Sequence, residues 1–218
     1  MKLENLKIAC IGDSLTEGIG SSCVSKNYPS LLKEKCKLKE IINLGKSGTR
    51  ISVQRETYMH YKEWDENFLT RVNKIPADTD IILVWGGTND YDHGDALLGC
   101  FGDDSEYTFY GALNILMKNL LEKFPDKTIV FITPIHRVYG YNPDNATIRK
   151  GHSLKAYSDA IKETAEYYSI PVCDIFAVSG MNPNIKEQKD LFYADDVHLN
   201  DNGYNRIAER IKSFLENL

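Results

Sequence analysis

The sequence predicts an α/β fold: a doubly wound, five-stranded parallel sheet held between two helical layers. Two patterns lead to it. Five short apolar, β-branched runs alternate with segments of helical spacing, which requires parallel strands joined by right-handed crossovers. Several of these runs end abruptly in glycine-bearing polar turns, as strands leaving the C-terminal edge of such a sheet do. Composition permits the fold: 218 residues, 42% hydrophobic and 26% charged, are enough for one full core. With no repeat, low-complexity tract or linker in view, residues 1–218 read as a single domain.

The five expected strands are Leu6–Ile11, Glu40–Leu44, Asp80–Trp85, Lys127–Thr133 and Ile170–Asp174. Between the first two, Tyr28–Lys37 reads as a helix, with Pro29 in its first turn where proline is tolerated. Tyr107–Phe124 sets Phe109, Leu113, Leu116, Leu120 and Phe124 on one stripe. Ser153–Tyr168 does the same with Leu154, Tyr157, Ile161, Ala165 and Tyr168. A last helix carries Tyr204, Ile207, Ile211, Phe214 and Leu218, capped by Asn200 or Asp201. Two long polar connections, 90–106 and 134–151, follow strands and so belong over the C-terminal edge.

Charge and cysteine usage narrow the function classes. A formal charge of −5 argues against a nucleic-acid backbone as the main partner. No apolar run reaches membrane-spanning length, and the start, Met1 to Leu6, lacks a signal-peptide pattern. Five scattered cysteines without C-x-x-C argue against disulfides and structural zinc. A reducing, cytoplasmic setting is the expectation, with a mature secreted form as the alternative.

Four turns carry chemistry. The run Ile8-Ala9-Cys10-Ile11 breaks into Gly12-Asp13-Ser14. Gly12 allows a tight exit with unusual φ, and Ser14 then sits beyond a strand end at a helix start, where negative charge is favoured. Asp13 reads as a residue that holds the turn backbone. Asn43-Leu44-Gly45-Lys46-Ser47-Gly48 is either a strand-to-helix turn or a loop aiming N–H groups into a site. It is not a phosphate loop, because Glu40 stands where the earlier glycine is required. Gly86-Gly87-Thr88-Asn89-Asp90 either satisfies its own backbone or directs the Asn89 amide inward. In Asp195-Asp196-Val197-His198 a turn brings the first and last Cα atoms within about 7 Å. Asp195 could then fix the tautomer of His198; a capping aspartate, or a metal site including Asp196, are the alternatives.

Taken together, these turns resemble the SGNH hydrolases, also called GDSL esterases/lipases. Gly12-Asp13-Ser14-Leu15 matches the family's first signature in full, Gly87-Thr88-Asn89-Asp90 its G-x-N-D, and Asp195 to His198 its D-x-x-H. The glycine block is the least specific; Gly48 fits it better than Gly45 by its spacing from Asn43. The blocks run from residue 12 to 198, nearly the whole chain. The resemblance implies a flavodoxin-like sheet, Ser14 as nucleophile, His198 as general base and Asp195 as its orienting group. It also implies an oxyanion hole made of the Ser14 N–H, the Gly48 N–H and the Asn89 side-chain amide. Such an enzyme needs no metal or organic cofactor.

The expected reaction is hydrolysis of a short acyl ester, with an O-acetylated carbohydrate as one candidate. Lysophospholipase or thioesterase activity is the alternative on the same machinery, and a non-catalytic carbohydrate-binding module is the alternative of another class. Tyr91, His136 and Tyr139 are the candidate substrate contacts, with Tyr141 beside them. His60, His93 and His152 lack a D-x-x-H context and read as surface residues, and Arg50 and Arg137 as solvated cations unless the substrate is anionic. A small-molecule or carbohydrate ester is the expected partner, with no nucleic acid and no membrane. The oligomeric state is not legible.

Overall fold

The computed structural model describes residues 1–56, 62–140 and 151–218. Within them, five parallel strands form one sheet: β1 (Lys7–Gly12), β2 (Glu40–Gly45), β3 (Ile81–Trp85), β4 (Thr128–Ile132) and β5 (Val172–Cys173), in the order β2-β1-β3-β4-β5. This is the flavodoxin-like order, and its switch point lies at β1 and β3, where the chain winds first to one side of β1 and then to the other. β1 pairs with both neighbours in tight register: Ile11 faces Leu44 on one side and Val84 on the other. The first and third strands therefore end side by side.

Strand alternation divides the core into two layers. Ala9, Ile11, Ile82 and Val84 bury into one face, and Ile8, Cys10, Leu83 and Trp85 into the other. The first face is covered by α5 (Phe109–Lys123) and α6 (Leu154–Tyr167). All five expected stripe residues, Phe109 to Phe124, are buried there. Truncating Leu116, which has no exposed surface, to alanine would cost about 2–5 kcal/mol through transfer and cavity terms. The second face is covered by α2 (Tyr28–Cys36) and α9 (Asp201–Glu216). Asn27 caps α2 by accepting the Ser30 N–H at 2.9 Å, and Asn200, not Asp201, caps α9 through the N–H groups of Asn202 and Gly203.

Three sequence expectations need adjustment. β5 is two residues long: Pro171 has no N–H to add to the ladder, and Asp174 leaves it to cap the short helix α7 (Ile175–Val178). The stripe of α9 ends on buried Leu215, leaving Leu218 48% exposed, because the buried face follows the 3.6-residue period. The helix start expected at Ser14 is α1 (Ser14–Glu17), whereas α3 (Phe68–Arg71), α4 (Thr88–Asp92) and α8 (Lys186–Phe192) lie in segments with no legible periodicity. Each spans two turns at most, too few for an apolar stripe to repeat. Of the two long polar connections, the second falls largely outside the described residues. No described helix is long and apolar enough to cross a membrane.

Candidate active site

The turn after β1 is built by close approach. Gly12 makes the tight exit expected of it without a positive φ. Its lack of a side chain matters for space: a Cβ there would stand 1.8 Å from Thr16 Oγ1 and 2.9 Å from the Trp85 carbonyl. Asp13 then caps α1, its Oδ1 accepting the Leu15 N–H at 2.9 Å. Ser14 is thus the first residue of a helix, where the backbone N–H has no intrahelical acceptor. Asp13 is 1% exposed and its Oδ2 has no hydrogen-bond partner. Burial pushes its carboxyl up to about 6, against the pull of the Leu15 N–H and the charges of His198 and Arg71.

The histidine arrives from the far end of the chain. Tyr193 and Leu199 form an antiparallel bridge, and the Ala194 N–H donates to the His198 carbonyl at 2.8 Å, so residues between them form a tight turn. Asp195 Oδ1 accepts the N–H groups of Val197 (2.7 Å) and His198 (2.6 Å). Its Oδ2 lies 2.7 Å from His198 Nδ1, and His198 Nε2 lies 2.9 Å from Ser14 Oγ. Burial opposes the Asp195 charge, but these N–H groups and the imidazole outweigh it and hold the carboxyl below its usual range. Two further bonds fasten this turn to the serine loop: Tyr204 Oη donates to the Ile19 carbonyl at 2.7 Å, and the Ser22 N–H to Asp201 Oδ1 at 2.8 Å.

The remaining two turns close the other side. Gly87 takes a φ of 105° ahead of α4, and Asn89 follows in its first turn. Asn89 Nδ2 donates to the Thr49 carbonyl at 3.0 Å, which orients the amide and leaves it a second N–H. Asp90 accepts from the N–H groups of Ile51 (3.0 Å) and Ser52 (2.9 Å), fixing the glycine loop to α4. Gly48 has a φ of 74°, and a Cβ there would fall 2.3 Å from ring carbons of Trp64. Only glycine meets both demands.

Ser14, Gly48, Asn89 and His198 line one cavity of about 300 Å³. Trp64, Ile19 and Val197 give it apolar walls; Ser47, Asp92, His93 and Arg137 add polar ones. Two other cavities, about 720 Å³ beside α9 and about 320 Å³ at Tyr110, Tyr167 and Tyr168, contain none of the four groups. An imidazole between a serine hydroxyl and a carboxylate can take the hydroxyl proton, and a carboxamide beside them can donate to an oxyanion.

The expected substrate contacts are not in this cavity. Tyr91 is 3% exposed, packs edge-on against Tyr157 and spends its hydroxyl on the Tyr139 carbonyl at 3.0 Å. His136 stacks against Phe176 with ring centroids 4.1 Å apart, and burial lowers its pKa. Tyr139 is exposed but does not line the cavity. Tyr141 and His60 lie outside the described residues. In their place stand residues without a motif. Arg50 is buried, not solvated, bonding the Trp64 carbonyl (3.1 Å), Asp65 (2.8 Å) and His93 (3.0 Å). That set holds Trp64 and His93 as a wall, ring centroids 4.9 Å apart. Arg137 pairs with Asp92 at 3.2 Å on the rim. His93 is thus a lining residue, whereas His152 is exposed as expected. Trp64 is a lone aromatic in a polar loop with no spacing signal, and nothing local to Arg50, His93 or Arg137 separates a wall residue from a solvated one.

Asp196 pairs with Lys189. Among the described residues no group of three or more His, Cys, Asp and Glu is arranged to hold a metal ion.

Comparisons with known proteins bear on the family and the fold. The sequence matches the GDSL-like Lipase/Acylhydrolase family over residues 10–206. No curated protein matches it. Among solved structures, a protein from Lactobacillus plantarum is 29% identical with a TM-score of 0.84, over 99% of this chain and 98% of that one. The lipase/acylhydrolase from Enterococcus faecalis is 20% identical with a TM-score of 0.67, over 97% and 96%. A carbohydrate acetylesterase family member from Sinorhizobium meliloti is 17% identical with a TM-score of 0.68, over 97% of each chain. These last two share the fold. With the family match spanning nearly all of the chain, from the first strand into the last helix, this protein belongs to the GDSL-like lipase/acylhydrolase family of ester hydrolases.

Proposed function

We propose that this protein hydrolyses short acyl esters through an acyl-enzyme on Ser14. The observation that carries the reading is the unbroken hydrogen-bond chain Asp195–His198–Ser14, at 2.7 and 2.9 Å, opening beside Asn89. Serine is a weak nucleophile at its free pKa, so His198 Nε2 takes the Oγ proton as Oγ attacks the ester carbonyl. The oxyanion that forms accepts from the Ser14 N–H, the Gly48 N–H and the Asn89 amide. His198 returns the proton to the leaving alcohol. Water then attacks the acyl-enzyme by the same route, releasing the acid and restoring Ser14. Asp195 keeps the imidazole in the tautomer with Nε2 free and stabilises the imidazolium.

Cavity size supports the acyl preference. About 300 Å³, walled by Trp64 over Gly48, suits an acetyl or similarly small group and leaves little room for a long chain. The polar rim of Ser47, Asp92 and Arg137 suits a hydroxyl-rich leaving group such as an acetylated sugar. The similar fold of a carbohydrate acetylesterase family member is in keeping with that choice.

The test is turnover of p-nitrophenyl esters from acetate to long acyl chains, together with an acetylated xyloside, by wild type and Ser14→Ala. Rapid cleavage of the short esters, lost in Ser14→Ala with its circular dichroism unchanged, is the expected result. Preference for long chains would overturn the acyl assignment. No turnover of any ester, or full activity in Ser14→Ala, would overturn the mechanism and favour a binding role.

A further inference from the structure

Arg71 ends α3 with its side chain 2% exposed, directly beneath the catalytic edge of the sheet. Its Nη1 donates to the Gly12 carbonyl at 2.5 Å and to the Leu44 carbonyl at 2.7 Å, and its Nη2 to Thr49 Oγ1 at 2.8 Å. Those acceptors close the exits of β1 and β2 and the loop that follows β2. Gly12 is two residues before Ser14, and Thr49 is the residue after Gly48. Thr49 passes the constraint on twice: its hydroxyl donates to the Lys46 carbonyl at 2.7 Å, and its own carbonyl accepts the Asn89 amide at 3.0 Å. The aromatic ring under the guanidinium, Phe68 at 4.4 Å, also meets Gly86, where any Cβ would stand 2.6 Å from it. The exit of β3 therefore rests on the same support.

We propose that Arg71 is a positioning residue for the oxyanion hole, its planar fork fixing the relative places of the Ser14, Gly48 and Asn89 donors. The chemistry of its acceptors argues for this over a purely stabilising role. Burying a guanidinium is costly and is normally offset by a bonded carboxylate. Here its hydrogen bonds go to two carbonyls and a hydroxyl, and Glu66 and Asp13 act on it only through space. An apolar side chain would fill the volume at lower cost. What it could not do is hold three backbone segments at fixed angles with diverging donors. Burial lowers its pKa to about 10, so the group is charged at neutral pH. An oxyanion hole tolerates little error, since a misplacement of about 1 Å can cost about 100-fold in rate.

This inference rests on the reading of Ser14 as nucleophile, and the experiment separates the two. Wild type, Ser14→Ala, Arg71→Lys, Thr49→Val and Thr49→Ser are compared in kcat, KM and inhibition by an alkylboronic acid, whose tetrahedral Ser14 adduct mimics the oxyanion. For Arg71→Lys the expected result is a loss of about 10–100-fold in kcat with KM within about twofold. Boronate affinity should fall by a matching factor. Thr49→Val, which leaves Arg71 in place, should lose about 10-fold, and Thr49→Ser should restore it. If Arg71→Lys does not fold, the Thr49 pair decides. A lower thermal midpoint with kcat and boronate affinity unchanged would make Arg71 merely structural and overturn the inference alone. An inactive wild type, or an active Ser14→Ala, would overturn both readings.

Discussion

His198 Nε2 lies 2.9 Å from Ser14 Oγ although 184 residues of chain separate them. Serine leaves the sheet at the switch point after β1, and histidine is brought to it by the turn before α9. The bonds from Tyr204 to Ile19 and from Ser22 to Asp201 hold the two ends together independently of the imidazole. The pair is therefore set by surrounding structure, and substitutions at either residue can be read as changes in chemistry.

Asp195→Asn tests the orienting carboxylate. Its Oδ2 is 2.7 Å from His198 Nδ1, and an amide there can favour the wrong tautomer. We expect kcat to fall about 10²–10⁴-fold with KM nearly unchanged. Steady-state kinetics with a short ester check this, and a retained melting curve excludes unfolding.

Asn89→Ala removes one proposed oxyanion donor. The expected loss is about 10²–10³ in kcat, or about 2.7–4 kcal/mol of transition-state stabilisation. The Thr49 carbonyl also loses its partner, which should lower stability by about 1–3 kcal/mol. Kinetics and urea denaturation measure the two effects separately.

Gly48→Ala forces a Cβ toward Trp64 at a φ of 74°, so the ring or the loop must move. Backbone strain alone should cost about 1–3 kcal/mol. The chain has two tryptophans, and Trp85 is buried at the centre of the sheet with its N–H on the Thr133 carbonyl. A change in emission together with a fall in kcat would therefore report Trp64 leaving the cavity wall. Unchanged fluorescence and activity would count against the tight Gly48–Trp64 contact.

Asp13→Asn should change how stability depends on pH. Burial raises the Asp13 carboxyl from its ordinary 3.8 to about 6, so between those values the folded state holds a proton that the unfolded chain has released. Stability contributed by this group therefore falls as pH rises through that window and is flat above it. Asparagine keeps the cap to Leu15 without the charge. We expect the variant to gain on wild type from pH 4 to 6, by up to about 3 kcal/mol, and to hold that gain at pH 7. Urea denaturation across this range measures it; parallel curves would contradict it.

Much of the site was legible because its backbone turns leave local marks. Gly12-Asp13-Ser14 breaks an apolar run, and Asp195 and His198 stand one turn apart. Tyr91, His136 and Tyr139 show the limit. They follow strands on the correct edge, but direction after a turn depends on packing: Tyr91 goes inward to Tyr157, and His136 to Phe176. Arg71 and Trp64 left no mark at all, since each acts through partners distant in sequence.

The sequence by itself determined the strand–helix alternation, the α/β class and the residue types able to carry ester hydrolysis. Those follow from periodicity and turn chemistry, which act over a few neighbouring residues. Local pattern did not reach the order β2-β1-β3-β4-β5 or the meeting of Ser14 with His198, which only the family resemblance implied; tertiary structure alone decided the wall of Trp64 over Gly48 and the buried fork of Arg71. Each of these depends on contacts between segments far apart in the chain, where close packing leaves one arrangement and local preference is silent.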